Sequence, residues 1–497
     1  MNQAGADAGS RPATDEPFAA ATLPPPEAPV GWPAWRLRDA VIAGELGVGE
    51  VLRAHLDRLE QVEPWLHAAA HVRHDAALRE ADALQARLHT GQPPGPLFGV
   101  PITVKDVIAT AGTPTECGSR AFAGNVPAVD AVAVARLRAA GAVVIAKSCC
   151  PEFAFGVTTP GTRSPWGAHS PGGSSGGEAA LVAAGASALG LGTDYGGSLR
   201  WPAQCCGVLA LRPGLGALDG TGQLPERGGR MDGGLGSSTW NDTVQRHFQV
   251  VGPIASTVRD LAISLATIGG RDVRAAGPPP ADGDSGGLEQ LTVGWVEHED
   301  SAPVCTDARR ALRDAVAALA GAGLGVEEVP GCLDGLRVAF DELRDTDPMP
   351  DLLAAVGERR ALVGVAAGRT LDTAPISRAD PQALRKRIRE LRVRMLAQLE
   401  RTPVILAPVA PSAACGLDGS APVEGARLAG FELMAQCRAV SGLGMPALSI
   451  PVGRDRFGLP LSVQVVGGPG REDLVLDVGL LLERLRGGRI QPPWKAG

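Results

Sequence analysis

The stretch PGGSSGGEAALVAAGASALGLGTDYGGSLRWPAQCCG, residues 171–207, sets two serine sites in glycine: Ser174 with Ser175, and then Ser198. The Ala-rich segment between them suits one short helix and one buried strand. Glycine around a serine lets the backbone approach a partner closely or adopt φ > 0. Two such sites joined by a compact αβ unit predict one active site built from both of its ends.

The flanking sequence continues the alternation. Residues 98–104 form a mostly apolar, β-branched run that reads as a buried strand, with Lys105 and Asp106 at its end. Residues 130–141 read as a helix closed by a glycine, followed directly by the strand AVVIAK. Helical periodicity recurs over 48–62, where Pro64 is expected to end the helix, and over 75–88, with Asp75 as N-cap. It returns over 257–268, 307–322, 381–400 and 472–485, while LTVGWV, GVEEV, PVILAP, PALSIPV and LSVQVVG read as strands. The glycine-rich stretches 212–246 and 270–287 are expected to be loops. No internal repeat interrupts this α/β layering.

At 497 residues the chain can bury a large core. Its 47 basic residues are outnumbered by 54 acidic ones and form no run, which argues against nucleic acid or an anionic membrane surface as a partner. No window supplies the roughly 18 uncharged apolar residues of a membrane helix. Nine cysteines, with two adjacent pairs and no CxxC, read as reduced thiols in a cytoplasmic protein. The first 33 residues, rich in Ala, Pro and acidic side chains and without a basic leader, are expected to be a disordered tail.

Three other chemistries are weaker. His67, His71 and His74 have helical spacing, but no HExxH pattern accompanies them and a helix start falls among them, so they read as surface or packing residues. Residues 172–176 formally match GxSxG, yet TRSPWGAHSP before them is no core strand and no late histidine is well placed. GGSSGGE lacks the Lys-Ser/Thr of a phosphate loop.

Taken as an ordered set, KD after GVPITV, then GGSSGG, then GTDYGGSLRWPA resemble the amidase signature family. GPLFGVPITVKD, DAVAVARLRAAGAVVIAK, PEFAFG, VVGPIASTVRDLA, PVILAPVAP, GMPALSIPVG and GLPLSVQVVG extend the resemblance over most of the chain. It implies a single α/β/α domain around a large mixed, twisted sheet over residues 34–490, with a short tail at 491–497. It also implies an amidase that hydrolyses a carboxamide through a Ser-Ser-Lys triad. Ser198 would be the nucleophile, Ser174, preceded by a cis peptide bond, the proton relay, and Lys105 the base. A serine hydroxyl needs such a base, and lysine can serve when burial favours its neutral form. Tyr195, Gly196 and Gly197 would supply oxyanion or substrate contacts, and Ser175, Asp194 and Arg200 would support the loop. No metal or organic cofactor is implied, the partner is a small-molecule amide, and a homodimer is the expected assembly. Ser164, Ser441, Cys149 and LALRPG depart from the family pattern outside the triad. Two alternatives stay open: the glutaminase-type subunit of an amidotransferase assembly, and a non-catalytic binding protein on this fold.

Overall fold

Runs of buried β-branched and small residues build the sheet that positions everything else. The computed structural model describes residues 23–223, 243–270, 288–297 and 303–493. Its strands are β1 Ala69–Val72, β2 Pro101–Lys105, β3 Val143–Ser148, β4 Leu189–Asp194, β5 Leu209–Arg212, β6 Val250–Ala255 and β7 Thr292–Trp295. They continue with β8 Gly325–Glu328, β9 Val404–Pro408, β10 Ser420–Val423, β11 Ala426–Ala429, β12 Ala447–Arg454 and β13 Pro460–Gly467. Among the described residues, eleven strands join in the order β1-β3-β2-β4-β6-β5-β12-β13-β9-β7-β8, and β10 pairs with β11 alone. Parallel pairs (β2 with β3 and β4, β7 with β8 and β9) sit within an otherwise antiparallel ladder, so the sheet is mixed. β2, β3, β4 and β9 are buried along their whole length, as expected of strands covered on both faces. The α/β expectation and its mixed sheet hold.

The segment between the two serine sites forms helix Gly176–Ala183 and then β4, as its composition predicts. Glycines at 190 and 192 let this helix lie close on the strand. A Cβ at Gly190 would stand 2.4 Å from Glu178 Oε2, and one at Gly192 2.8 Å from Ser175 Oγ. β2 and β4 are parallel neighbours, with Val104 opposite Leu191. Lys105 and Asp194 therefore emerge at the same end of adjacent strands, a frequent location for sites on α/β sheets.

Several sequence expectations are corrected. Pro64 lies inside helix Val48–Leu66, within its last turn, where the missing N–H removes only one intrahelical bond; His67 then caps the helix at φ 48°. The next helix starts at His74, so Asp75 sits in its first turn rather than before it. His71 lies on β1 and pairs with Glu116 at 3.2 Å, which spreads the three histidines over separate elements. No group of residues arranged to hold a metal ion occurs among the described residues.

Of the expected N-terminal tail, residues 1–22 lie outside the described residues, but Leu23 is buried and the Pro24 carbonyl accepts from Arg58 Nη2 at 2.9 Å. Packing thus begins before Ala34. Of the expected C-terminal tail, residues 494–497 fall outside, and Gln491 still accepts from Arg454. The loop expected over 270–287 lies outside the described residues from 271 on, and that over 212–246 does so for 224–242.

Candidate active site

Lys105 is fully buried at the end of β2, and its Nζ donates to Ser174 Oγ at 2.6 Å and to Thr193 Oγ1 at 2.9 Å. Burial in the apolar interior is the main influence on the amine and lowers its pKa to about 8, against the pull of nearby acidic groups including Asp194 and Glu178. The Gly173–Ser174 peptide is cis. Behind the lysine, Thr103 Oγ1 donates to Glu178 at 2.6 Å, and burial pushes that carboxyl up to about 7.

Ser174 and Ser198 both line one cavity of about 400 Å³. Ser175 ties their loops together. Its N–H donates to the Ser198 carbonyl at 3.2 Å, and its Oγ donates to the Thr193 carbonyl at 3.2 Å. The expected set of two serines and a lysine is therefore assembled around one cavity, with Thr193 as an unforeseen partner of the amine.

The loop carrying Ser198 is built on Asp194. This buried carboxylate accepts from the N–H groups of Gly197 at 2.8 Å and Leu199 at 3.2 Å. It also accepts from Arg200 Nε at 3.1 Å and from Arg212 Nη1 at 3.0 Å. Burial works against its charge, but the two guanidiniums and the Gly197 amide outweigh it and hold Asp194 well below the usual carboxylate range. Arg200 reaches on to Gln464 at 2.8 Å and to Ser441 at 2.7 Å. Asp194 and Arg200 thus stand where a loop support is expected.

Gly197 differs from its expected part. Its N–H is engaged by Asp194 and so is not open to a substrate oxygen. What position 197 requires is glycine's shape: φ is +117°, and a Cβ would stand 2.4 Å from Cys437 Cβ. Tyr195 and Gly196 do line the cavity, the Tyr195 ring packing edge-on against Phe340 at 5.5 Å. Trp201 is core: it is fully buried and donates to the Val157 carbonyl at 2.9 Å, supporting one cavity wall from behind.

Residues that motif reading missed come from distant segments. Arg212 ends the apolar strand LALR, and a charge inside such a run is the one signal that marks it. Met349, Ile376, Phe431 and Met434 supply cavity wall, and nothing local in their sequence points there. Ser164 and Ser441, two departures from the family pattern, both make buried bonds: Ser164 Oγ donates to the Cys205 carbonyl and Ser441 Oγ accepts from Arg200.

The arrangement offers a hydroxyl nucleophile, a hydroxyl relay and a desolvated amine around a cavity large enough for a small organic substrate. The amidase family model matches residues 50–342 and 347–476. A glutamyl-tRNA(Gln) amidotransferase subunit from Acidothermus cellulolyticus is 32% identical, over 92% of this chain and 95% of its own length. Its counterpart from Roseiflexus sp. is also 32% identical, over 90% and 95%. A crystal structure of an amidase superposes with TM-score 0.77 at 28% identity, covering 91% of this chain and 99% of that one. 6-Aminohexanoate cyclic dimer hydrolase gives TM-score 0.78 at 26% identity, covering 94% and 99%. The chain belongs to the amidase signature family and is a hydrolase of carboxamide C–N bonds.

Proposed function

We propose that the chain hydrolyses a small-molecule carboxamide through an acyl-enzyme on Ser198. The observation that carries this reading is the 2.6 Å contact between buried Lys105 and Ser174 at the edge of the cavity that Ser198 shares. With Lys105 neutral, the Ser174 hydroxyl donates to Nζ and accepts the proton that Ser198 releases as its Oγ attacks the amide carbon. The C=O π bond opens to a tetrahedral oxyanion, for which we assign the N–H groups of Gly196 and Ser198 in the nucleophile loop as donors. As the C–N bond breaks, the proton returns from Lys105 through Ser174 to the leaving nitrogen. Water then repeats the sequence on the ester, releasing the carboxylic acid and restoring Ser198.

Ser198→Ala and Lys105→Ala are expected to abolish turnover with the fold retained by circular dichroism, and a fluorophosphonate should label Ser198 stoichiometrically. Normal activity in either variant would sink the triad. Labelling of Ser198 also separates an enzyme from a binding protein on this fold.

The relatives named as amidotransferase subunits raise a second reading, in which the chain works within an assembly. Each charged residue on the described cavity wall already has a partner inside the protein. Arg344 pairs with Asp345, Arg438 with Asp341 and Asp418 with Arg427, while Asp347 accepts from two backbone N–H groups. Of the two we take the freestanding amidase as the reading to test first. Turnover of simple amides by the purified chain supports this; activity only with co-purified subunits favours the assembly. The nine cysteines are all free, in keeping with a reducing, cytoplasmic setting.

A further inference from the structure

Arg438 is charged, 2% exposed and set into the cavity wall from helix Ala435–Leu443. Its Nε and Nη2 both donate to Asp341, which also takes Arg337. The guanidinium lies over Phe431, 4.7 Å from the ring centre, and 5.4 Å from that of Phe340. These contacts fix the group, which shares the Asp341 carboxylate with Arg337. They leave Nη1, which makes no hydrogen bond to any described residue. That nitrogen points at the nucleophile loop, for a Cβ at Gly196 would stand only 2.9 Å from it. Around it the cavity is largely apolar, with Phe155, Val157, Met349, Ile376 and Met434 on its walls.

A rigid N–H donor in the cavity wall beside the reacting serine is placed to take an acceptor from the cavity. With no acceptor among the described residues, Nη1 takes its acceptor from what fills the cavity. Asp341 already engages the guanidinium and the cavity wall is largely apolar, so a neutral oxygen meets Nη1 without bringing a further charge into that surrounding. We propose that Arg438 is a specificity-determining residue. It donates from Nη1 to a neutral carbonyl oxygen on the acyl part of the substrate, whose remaining body is apolar. This inference rests on the amidase reading with Ser198 as nucleophile.

The test uses the full chain and a matched pair, 4-oxo-4-phenylbutanamide and 4-phenylbutanamide, which differ by one ketone oxygen. The wild type should prefer the ketone by about tenfold or more in kcat/KM, the range of a hydrogen bond to a charged donor. Arg438→Met should bring the ratio close to one. Arg438→Lys keeps a cation for Asp341 without a second N–H directed at Gly196, and it should lower the ratio too, which covers the case in which the Met variant fails to fold. A wild-type ratio near one, turnover of neither amide, or a variant that slows both amides equally would each overturn the assignment. Failure of the amidase reading itself is seen separately, as absence of fluorophosphonate labelling at Ser198.

Discussion

Replacing Lys105 by Met tests the proposed base and its environment together. Burial lowers the amine from 10.5 to about 8. At pH 7, one unit below that value, roughly a tenth of the enzyme holds Lys105 neutral; at pH 9 roughly nine-tenths does. The wild-type kcat/KM should therefore climb about tenfold between these pH values and level off above them. The same shift affects stability. A lysine whose folded pKa lies below its unfolded value destabilises the fold at pH below both values, and the penalty fades as pH rises from about 8 to 10.5. That lowering corresponds to about 3 kcal/mol. Met fills nearly the same space without the charge but leaves Ser174 and Thr193 without their donor, which returns about 1–3 kcal/mol of that gain. Lys105→Met should thus be inactive at every pH yet as stable as the wild type, or more so, at pH 7. Its advantage in urea unfolding should shrink toward pH 10.5. A flat kcat/KM profile from pH 7 to 9, residual turnover in the variant, or an advantage that grows with pH would refute the reasoning.

Gly197→Ala forces a Cβ to 2.4 Å from Cys437 at a backbone angle that suits glycine. Rates should fall by at least ~10²-fold, with a lower Tm, because the whole loop must shift; unchanged kcat would show that the loop tolerates displacement. Asp194→Asn keeps the shape but leaves Arg200 and Arg212 buried against a neutral group. Losses of about 3–5 kcal/mol in unfolding free energy are expected, read by denaturant titration, and a change under 1 kcal/mol would show that the arginines find other partners.

How much of this is legible before folding depends on how local the chemistry is. Ser174, Ser175, Asp194, Ser198 and Arg200 lie within 27 consecutive residues, and their glycines announce the close approaches the backbone makes. Lysine is harder. Lys105 and Lys147 both end apolar runs, both are buried, and burial lowers both to about 8. Only the fold separates them: Lys147 donates to the Ile108 carbonyl and to Thr110 and Thr115, whereas Lys105 meets Ser174. Resemblance, not periodicity, singles out Lys105. Arg438 is less legible still, because a single cation among Ala, Cys and Val on a helix gives no sign of what it faces. Pro64 shows the converse error, a strong local rule overridden where only one terminal bond was at stake.

The buried ions around Asp194 also bear on why the site is so polar inside an apolar sheet. Asp194, Arg200 and Arg212 are fully buried and together carry one net positive charge directly behind the nucleophile loop. A neutral amide in the cavity gains little from that charge. On the proposed mechanism the tetrahedral oxyanion carries one negative charge, so the cluster is complementary to the transition state and not to the ground state. Since Asp194 fixes the Gly197 and Leu199 amides on one side, the loop cannot rotate its remaining N–H groups away as charge develops on the other. The cost of burying these ions is borne once, on folding, and the stabilisation recurs with every turnover.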